Sequence, residues 1–356
     1  MPALYSLYRP KVFSEVVSQD HIVFSLTGSL RRDNVSHAYL FSGPRGTGKT
    51  TLARLLAASV NCKVNKVTCG ACESCLAIQA GSYQDVVEID AASNRGIADI
   101  RNLRDRITYL PIDGRYKVYI LDEIHQLTAE ASNALLKTLE EPPSHIIFVL
   151  CTTEIQKVLS TIRSRCQIHK FRLVPEILIV HRLKQIVIDQ KCNVPEDTVE
   201  YISRQADGSI RDALSLLDVI LGLEDRSLEK VQRMMGRANY SVVGDFVECL
   251  AERSKSKVLR FINLLYDDQM TDIRLFREDV VAWLRGLLYI SVGITFSHPL
   301  LERMKRQAMD FDFKDLTVCL EAFTTKLDND LLFFPQLILE LPSLDAIDRM
   351  TPLEDF

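Results

Sequence analysis

Apolar positions along the chain change their period near residue 175. Before it, short runs that are apolar throughout alternate with stretches of helical spacing. AYLFS (38–42), DVVEI (85–89), YKVYIL (116–121) and IIFVLC (146–151) are the runs. Their uninterrupted hydrophobicity predicts strands buried on both faces, the mark of a parallel sheet covered by helices. Between them KTTLARLLAASV (49–60) and AEASNALLKTLE (129–140) repeat apolar residues every three or four positions, and Pro142 and Pro143 stop the second. An Arg-rich, polar helix is predicted over 97–110. After residue 175 the strand pattern ends. Helices are predicted over 176–190, 196–206 and 209–222, separated by Pro195 and Gly208, with Ser209 as an N-cap. Further helices are predicted over 241–266, 272–291, 298–308, 314–328 and 335–347. The fold class is therefore α/β followed by all-helical parts. Domain limits are expected at 1–175, 176–238 and 239–356.

Composition narrows the classes. Of 356 residues, 47% are hydrophobic and 25% charged, which is enough to bury cores and excludes disorder as the main state. No apolar run approaches 18 residues, so no membrane helix is expected. The opening MPALYSLYRPK has no apolar stretch of the secretory type, so a cytoplasmic location is expected. Charge is uneven: residues 1–175 hold 21 basic and 16 acidic side chains, residues 176–356 hold 22 and 31. Only the front part suits an anionic partner.

Three motifs carry chemistry. Gly43-Pro44-Arg45-Gly46-Thr47-Gly48-Lys49-Thr50 fits G-x-x-x-x-G-K-[ST] and lies between a predicted strand and a predicted helix. In that setting glycine backbone N–H groups curl round phosphate oxygens, and Thr51 continues the helix start. Lys49 would meet the β- and γ-phosphates and Thr50 would hold Mg²⁺, which makes ATP the expected substrate. The second motif is the strand ending in Asp122-Glu123. Asp122 would bind Mg²⁺, through water, and Glu123 would polarise an attacking water. The third is Cys62, Cys69, Cys72 and Cys75, four thiols within fourteen residues. Tetrahedral Zn²⁺ in a closed structural site fits best; an iron–sulfur cluster or free thiols are the alternatives. The remaining cysteines, Cys166 among them, are scattered and read as small buried hydrophobes. His37 and His125 invite catalytic readings, but core or strand-end histidines are the expected reading.

Together these stretches resemble the gamma/tau subunits of bacterial DNA polymerase III clamp loaders, which are AAA+ ATPases. The resemblance rests on YRPKVFSEVVSQDHI (8–22), HAYLFSGPRGTGKTTLARLLA (37–57), the cysteine cluster and EIDAASNRG (88–96). It continues in GRYKVYILDEIHQLT (114–128), ALLKTLEEPP (134–143), TIRSRC (161–166) and GSIRDALSLLD (208–218). In the last third only helical character and PQLILE (335–340) are similar. The resemblance implies an AAA+ domain with a zinc insertion, a three-helix lid and an oligomerising helical collar. It implies that Arg165 is an arginine finger serving a neighbouring subunit's nucleotide. It makes Thr152 or Thr153, with Thr153 preferred, sensor 1, and Arg211 sensor 2. Tyr8, Arg9, Pro10 and Val17 would wall the adenine, and Asn94, Arg95, Arg101 and Lys137 would track DNA phosphates.

The implied partners are other gamma/tau copies, delta, delta-prime, a sliding clamp and primer–template DNA. Two departures stand out: Glu154-Ile155 replaces a D/N-P pattern, and Val158-Leu159-Ser160 lacks the usual L-P before the SRC helix. The long tail of tau-type chains does not follow residue 356, as expected of a short gamma-like form or a truncation. Rival readings are a non-hydrolysing, delta-prime-like structural subunit, which the intact P-loop argues against, and a branch-migration motor, which the cysteines and SRC motif argue against.

Overall fold

The computed structural model describes residues 3–96, 100, 102–103, 106–252, 255–267, 272–296, 298 and 300–325. The chain divides into two compact units, Met1–Leu223 and Glu224–Phe356. The break lies inside the 176–238 span expected for one helical domain.

The first unit is built on five parallel strands: β1 Ala38–Ser42, β2 Val86–Asp90, β3 Lys117–Asp122, β4 Ile146–Thr152 and β5 Gln167–Lys170. Their order is β2-β3-β4-β1-β5. All residues of β1 and β4 are buried, as their unbroken apolar runs require. Alternation sends Tyr39 and Phe41 to one face and Ala38 and Leu40 to the other. The Tyr39 face is covered by α2 (Asp20–Arg31) and α3 (Lys49–Val60), through Ile22, Leu26, Leu52 and Leu56. The opposite face takes Leu135 and Leu139 of α5 (Ala129–Glu140) and Ile162 of α6 (Ser160–Arg163). Two shorter helices complete the front part, α1 (Leu4–Leu7) and α4 (Glu73–Ala80). Then come α7 (Glu176–Asp189), α8 (Glu196–Gln205) and α9 (Ile210–Leu221). Ser209 caps α9, its side chain accepting from the Asp212 N–H at 3.2 Å.

Register sets the site. Ser42 pairs with Thr152, and Asp90 with Asp122, so the carboxyl ends of four strands lie along one edge. In open parallel sheets that edge is where ligands bind.

The second unit is helical: α10 (Leu228–Met234), α11 (Tyr240–Ala251), α12 (Lys255–Asp267), α13 (Ile273–Ser291), α14 (Leu301–Asp310) and α15 (Phe313–Thr325). The single helix expected over 241–266 is two, α11 and α12. Phe246, Phe276, Trp283 and Leu284 form its core. The one polar atom of the Trp283 ring is satisfied, Nε1 donating to Gln307 Oε1 at 2.8 Å. The helix expected over 335–347 and PQLILE lie outside the described residues. Among the described residues no helix is long and apolar enough to cross a membrane.

Candidate nucleotide site

Between β1 and α3 the chain turns through Gly43, Gly46 and Gly48, all at positive φ (149°, 73° and 99°). At Gly46 the reason is also steric. A Cβ there would stand 1.8 Å from Ser209 Oγ, so the loop backbone runs directly against the cap of α9. Lys49 folds back over the loop, Nζ donating to the carbonyls of Gly43 (2.9 Å) and Pro44 (2.8 Å). Burial pushes its ammonium below the usual range, and Glu123 and Asp122 oppose that. A buried ammonium beside a glycine-rich turn at a helix start is an arrangement that suits an anion.

One turn on, Thr50 Oγ1 donates to Asp122 Oδ2 at 2.8 Å. A hydroxyl and a carboxylate in contact at a strand edge are a donor set for a hard, oxygen-seeking divalent ion. Glu123 follows at φ 49°, in the left-handed region that costs a side-chain-bearing residue about 1–2 kcal/mol. That turn carries its carboxylate to the end of β4. There Glu123 Oε2 accepts from Thr153 N (3.2 Å) and Thr153 Oγ1 (3.0 Å).

These groups border one pocket, with Arg45 to Leu52 as its floor. Tyr8, Arg9, Pro10 and Val17 form a wall, joined by Tyr5 and Val16. Arg182 of α7 and Ile210, Arg211 and Leu214 of α9 close the other side. Its cationic side chains are Arg9, Arg45, Lys49, Arg182 and Arg211, against Glu15, Asp122 and Glu123. That balance suits a polyanion. Burial, then the nearby Arg54 and Arg211, hold the Arg9 guanidinium below its usual range. Arg211 lies over the Tyr5 ring at 5.2 Å, and Arg182 Nη2 donates to the Tyr8 carbonyl at 3.3 Å.

Other expected site residues stand elsewhere. Thr153 reaches the pocket only through Glu123. Arg165 does not line it; its guanidinium donates to Glu140 Oε1 and the Thr161 carbonyl, both at 2.8 Å. Asn94 and Arg95 bond locally, to the carbonyls of Asp90 (3.0 Å) and Ala92 (2.7 Å). Lys137 is exposed on α5. Arg101 lies outside the described residues.

The four cysteines of the cluster come together beside the end of α3, their sulfurs all within 4.8 Å of one another. Cys62 and Cys72 are 4.0 Å apart, and Cys69 and Cys75 3.9 Å. A tetrahedral zinc with Zn–S bonds of about 2.3 Å needs neighbouring sulfurs about 3.8 Å apart. Backbone N–H groups of Ala71 and Cys72 bring the Cys69 thiol down to about 6, while burial lifts Cys75 to about 12. Cys166 is remote from the cluster, packed beneath the opposite face of the sheet.

Comparison with known proteins bears on this arrangement. A family profile described as DNA polymerase III, delta subunit, matches residues 18–175, and one described as DNA polymerase III clamp loader subunit, ATPase lid domain, matches 178–220. DNA polymerase III subunit gamma of Buchnera aphidicola is 37% identical over 294 residues, covering 81% of this chain and 80% of that protein. The chain belongs to the gamma/tau family of DNA polymerase III clamp-loader subunits. Subunit tau of Bacillus subtilis is 41% identical over 319 residues, 88% of this chain but 56% of that protein. This gamma/tau chain thus spans little more than half the length of that curated relative. A Thermotoga maritima RuvB structure aligns with a TM-score of 0.47 at 19% identity, covering 85% of this chain and 90% of that one, a likeness too slight to bear on function.

Two pocket residues of this gamma/tau chain carried no signal in the sequence, and a third residue beside the pocket was read for burial alone. Tyr5 and Arg182 stand in ordinary helical patterns and meet the pocket only through the fold. His125, read as a core or strand-end residue, is buried as expected but touches Glu123 and Thr152.

Proposed function

We propose that this chain is the ATP-driven motor subunit of a DNA polymerase III clamp loader. Working in the cytoplasm with other gamma/tau copies, delta and delta-prime, it opens a sliding clamp and loads it on primer–template DNA. The observation that carries this is the grouping of Lys49, Thr50, Asp122 and Glu123 at one pocket edge, with the Thr50–Asp122 bond of 2.8 Å. In this reading residues 1–175 are the ATPase domain, 176–238 the lid and 239–356 the collar.

The Gly43–Thr51 loop binds the phosphates. Tyr8, Arg9, Pro10 and Val17 hold the base, and Arg211 couples the lid to the phosphates. Thr50 and Asp122 would hold Mg²⁺, which neutralises charge on the phosphates. Glu123 takes the proton of the attacking water, held in aim by Thr153. Arg165 acts on a neighbour's nucleotide. Asn94, Arg95, Arg101 and Lys137 would meet DNA phosphates without reading sequence.

The cysteine cluster holds structural Zn²⁺. Its sulfur spacing suits a single ion, whereas a cluster of irons and sulfides would need room between the thiolates. A second reading, a structural subunit that does not hydrolyse ATP, draws on the delta-subunit profile over 18–175. One experiment separates them: ATP turnover of the assembled loader with and without clamp and primed DNA. Stimulated turnover that Lys49→Ala removes is expected. A Lys49→Ala complex that binds and hydrolyses like wild type assigns turnover to other subunits.

A further inference from the structure

The turn after β3 carries a histidine whose side chain is 5% exposed, buried against the base proposed above. His125 Nδ1 lies 3.3 Å from Glu123 Oε2 and 3.1 Å from Thr152 Oγ1. On the other side of the ring, Nε2 lies 2.9 Å from the Gln126 amide nitrogen and 3.5 Å from Glu154 Oε1. With the Gln126 amide nitrogen as the donor, Nε2 accepts and the proton stands on Nδ1. Nδ1–H then donates to Thr152 Oγ1, with its positive edge 3.3 Å from Glu123 Oε2.

Two donors therefore bond one oxygen of Glu123, Thr153 N–H and Thr153 O–H, and the electropositive Nδ1–H edge of His125 stands 3.3 Å from that same oxygen. Among the described residues no hydrogen bond reaches Oε1, the oxygen left for the pocket. At φ 49° Glu123 stands in a backbone conformation that side chains disfavour, so its direction depends on such anchors. The ring is itself anchored outward. Glu154 pairs with Lys157 at 2.8 Å and its N–H donates to Thr152 Oγ1 at 3.0 Å. This is the turn at which the sequence departs from the family's D/N-P pattern.

We propose that His125 is a positioning residue for ATP hydrolysis. Its Nδ1–H favours Oε2 as the inward-held oxygen of Glu123, leaving Oε1 for the attacking water, and through Thr152 Oγ1 it links that carboxylate to the Glu154 N–H of the 154–157 turn. The proposal rests on Glu123 being the base.

The test measures kcat, KM for ATP and nucleotide affinity in the assembled complex for His125→Leu, His125→Asn, His125→Gln and Glu123→Gln. A misplaced catalytic group costs up to about 10²-fold, so His125→Leu should lower kcat by about 10- to 100-fold with KM and affinity within about twofold. Asn puts an amide N–H near the place of Nδ1 and should restore most of kcat. Gln puts its amide near Nε2 and should not. Should His125→Leu fail to fold, the Asn and Gln pair decides alone.

Wild-type kcat in His125→Leu or His125→Gln, with Glu123→Gln inactive, overturns the positioning role and leaves the base intact. Equal loss of kcat and affinity in Asn and Gln makes His125 merely structural and also overturns it. Wild-type turnover in Glu123→Gln removes the base itself, and the proposal with it.

Discussion

Arg165 directs its donors to Glu140 and to the Thr161 carbonyl of the preceding helix α6, and none to the pocket of its own chain. A partly exposed pair such as Arg165–Glu140 is worth about 0.2–1 kcal/mol. An arginine finger supplies about 10³–10⁵ in rate, or about 4–7 kcal/mol. The local bond is therefore too weak to keep the guanidinium from a phosphate offered by another subunit. Arg165→Ala should spare ATP binding and lower turnover in the oligomer alone. Mixing Arg165→Ala and Lys49→Ala chains should restore part of the activity, because some interfaces then pair an intact finger with an intact P-loop; mixtures as inactive as either parent would refute action in trans. At this scale the sequence was informative where spacing fixes chemistry. Lys49, Thr50 and the four cysteines are set within a few residues of one another. It was silent on Tyr5 and Arg182, whose contacts depend on helix packing across more than a hundred residues of chain, and it read His125 for burial because its contacts with Glu123 and Thr152 depend on strand register.

Strands β1 and β4 were legible because burial on both faces leaves no polar position to confuse the period. The short edge strand β5 was not, since its burial alternates and Ile168 is exposed. Helix α4 was hidden by the cysteines: Cys72 stands at its N-cap and Cys75 within its first turn. The cluster thus pins a helix start to the last turn of α3, where Ser59 Oγ accepts from the Thr68 N–H at 2.9 Å and Cys75 faces the Ala58 carbonyl. Metal coordination there is folding free energy. Purified without added zinc, the protein should carry one zinc per chain by elemental analysis. Cys72→Ser should lower both zinc content and melting temperature, and Cys166→Ser should leave zinc unchanged. Iron, or no metal at all, would overturn the assignment.

Across the first unit, stability should carry a pH signature from a single histidine. His169 of β5 stacks beside Tyr39, ring centroids 6.0 Å apart, and meets Phe41 edge-on at 5.6 Å. Burial, then His21, brings its pKa down to about 4. An unfolded histidine titrates near 6.5, so between about pH 6.5 and 4 the unfolded chain binds a proton that the folded one refuses. Stability is complete above that window and falls as pH drops through it. His169→Phe should flatten the decline in denaturation midpoint between about pH 7 and pH 5; an unchanged slope would show that other groups cause it. Whole-molecule organisation was the least legible level. Alternating strands and helices foretold a parallel sheet, but strand order follows from crossovers that composition does not record.

The pocket joins the first residues of its unit to the last. The Leu4 N–H donates to Asp218 across 214 positions, and Tyr8 bonds to Asp189 and Gln190. The ribosome releases these parts at different times. At about 5–20 residues per second, the P-loop emerges on the order of ten to thirty seconds before Arg211 does. Throughout that interval the growing chain has the P-loop sequence without α9, and for most of it without β4 and β5, the strands on either side of β1. Under the proposed function, the complete nucleotide pocket is then a late product of synthesis, since Arg182, Ile210, Arg211 and Leu214 must be made before its last wall can close.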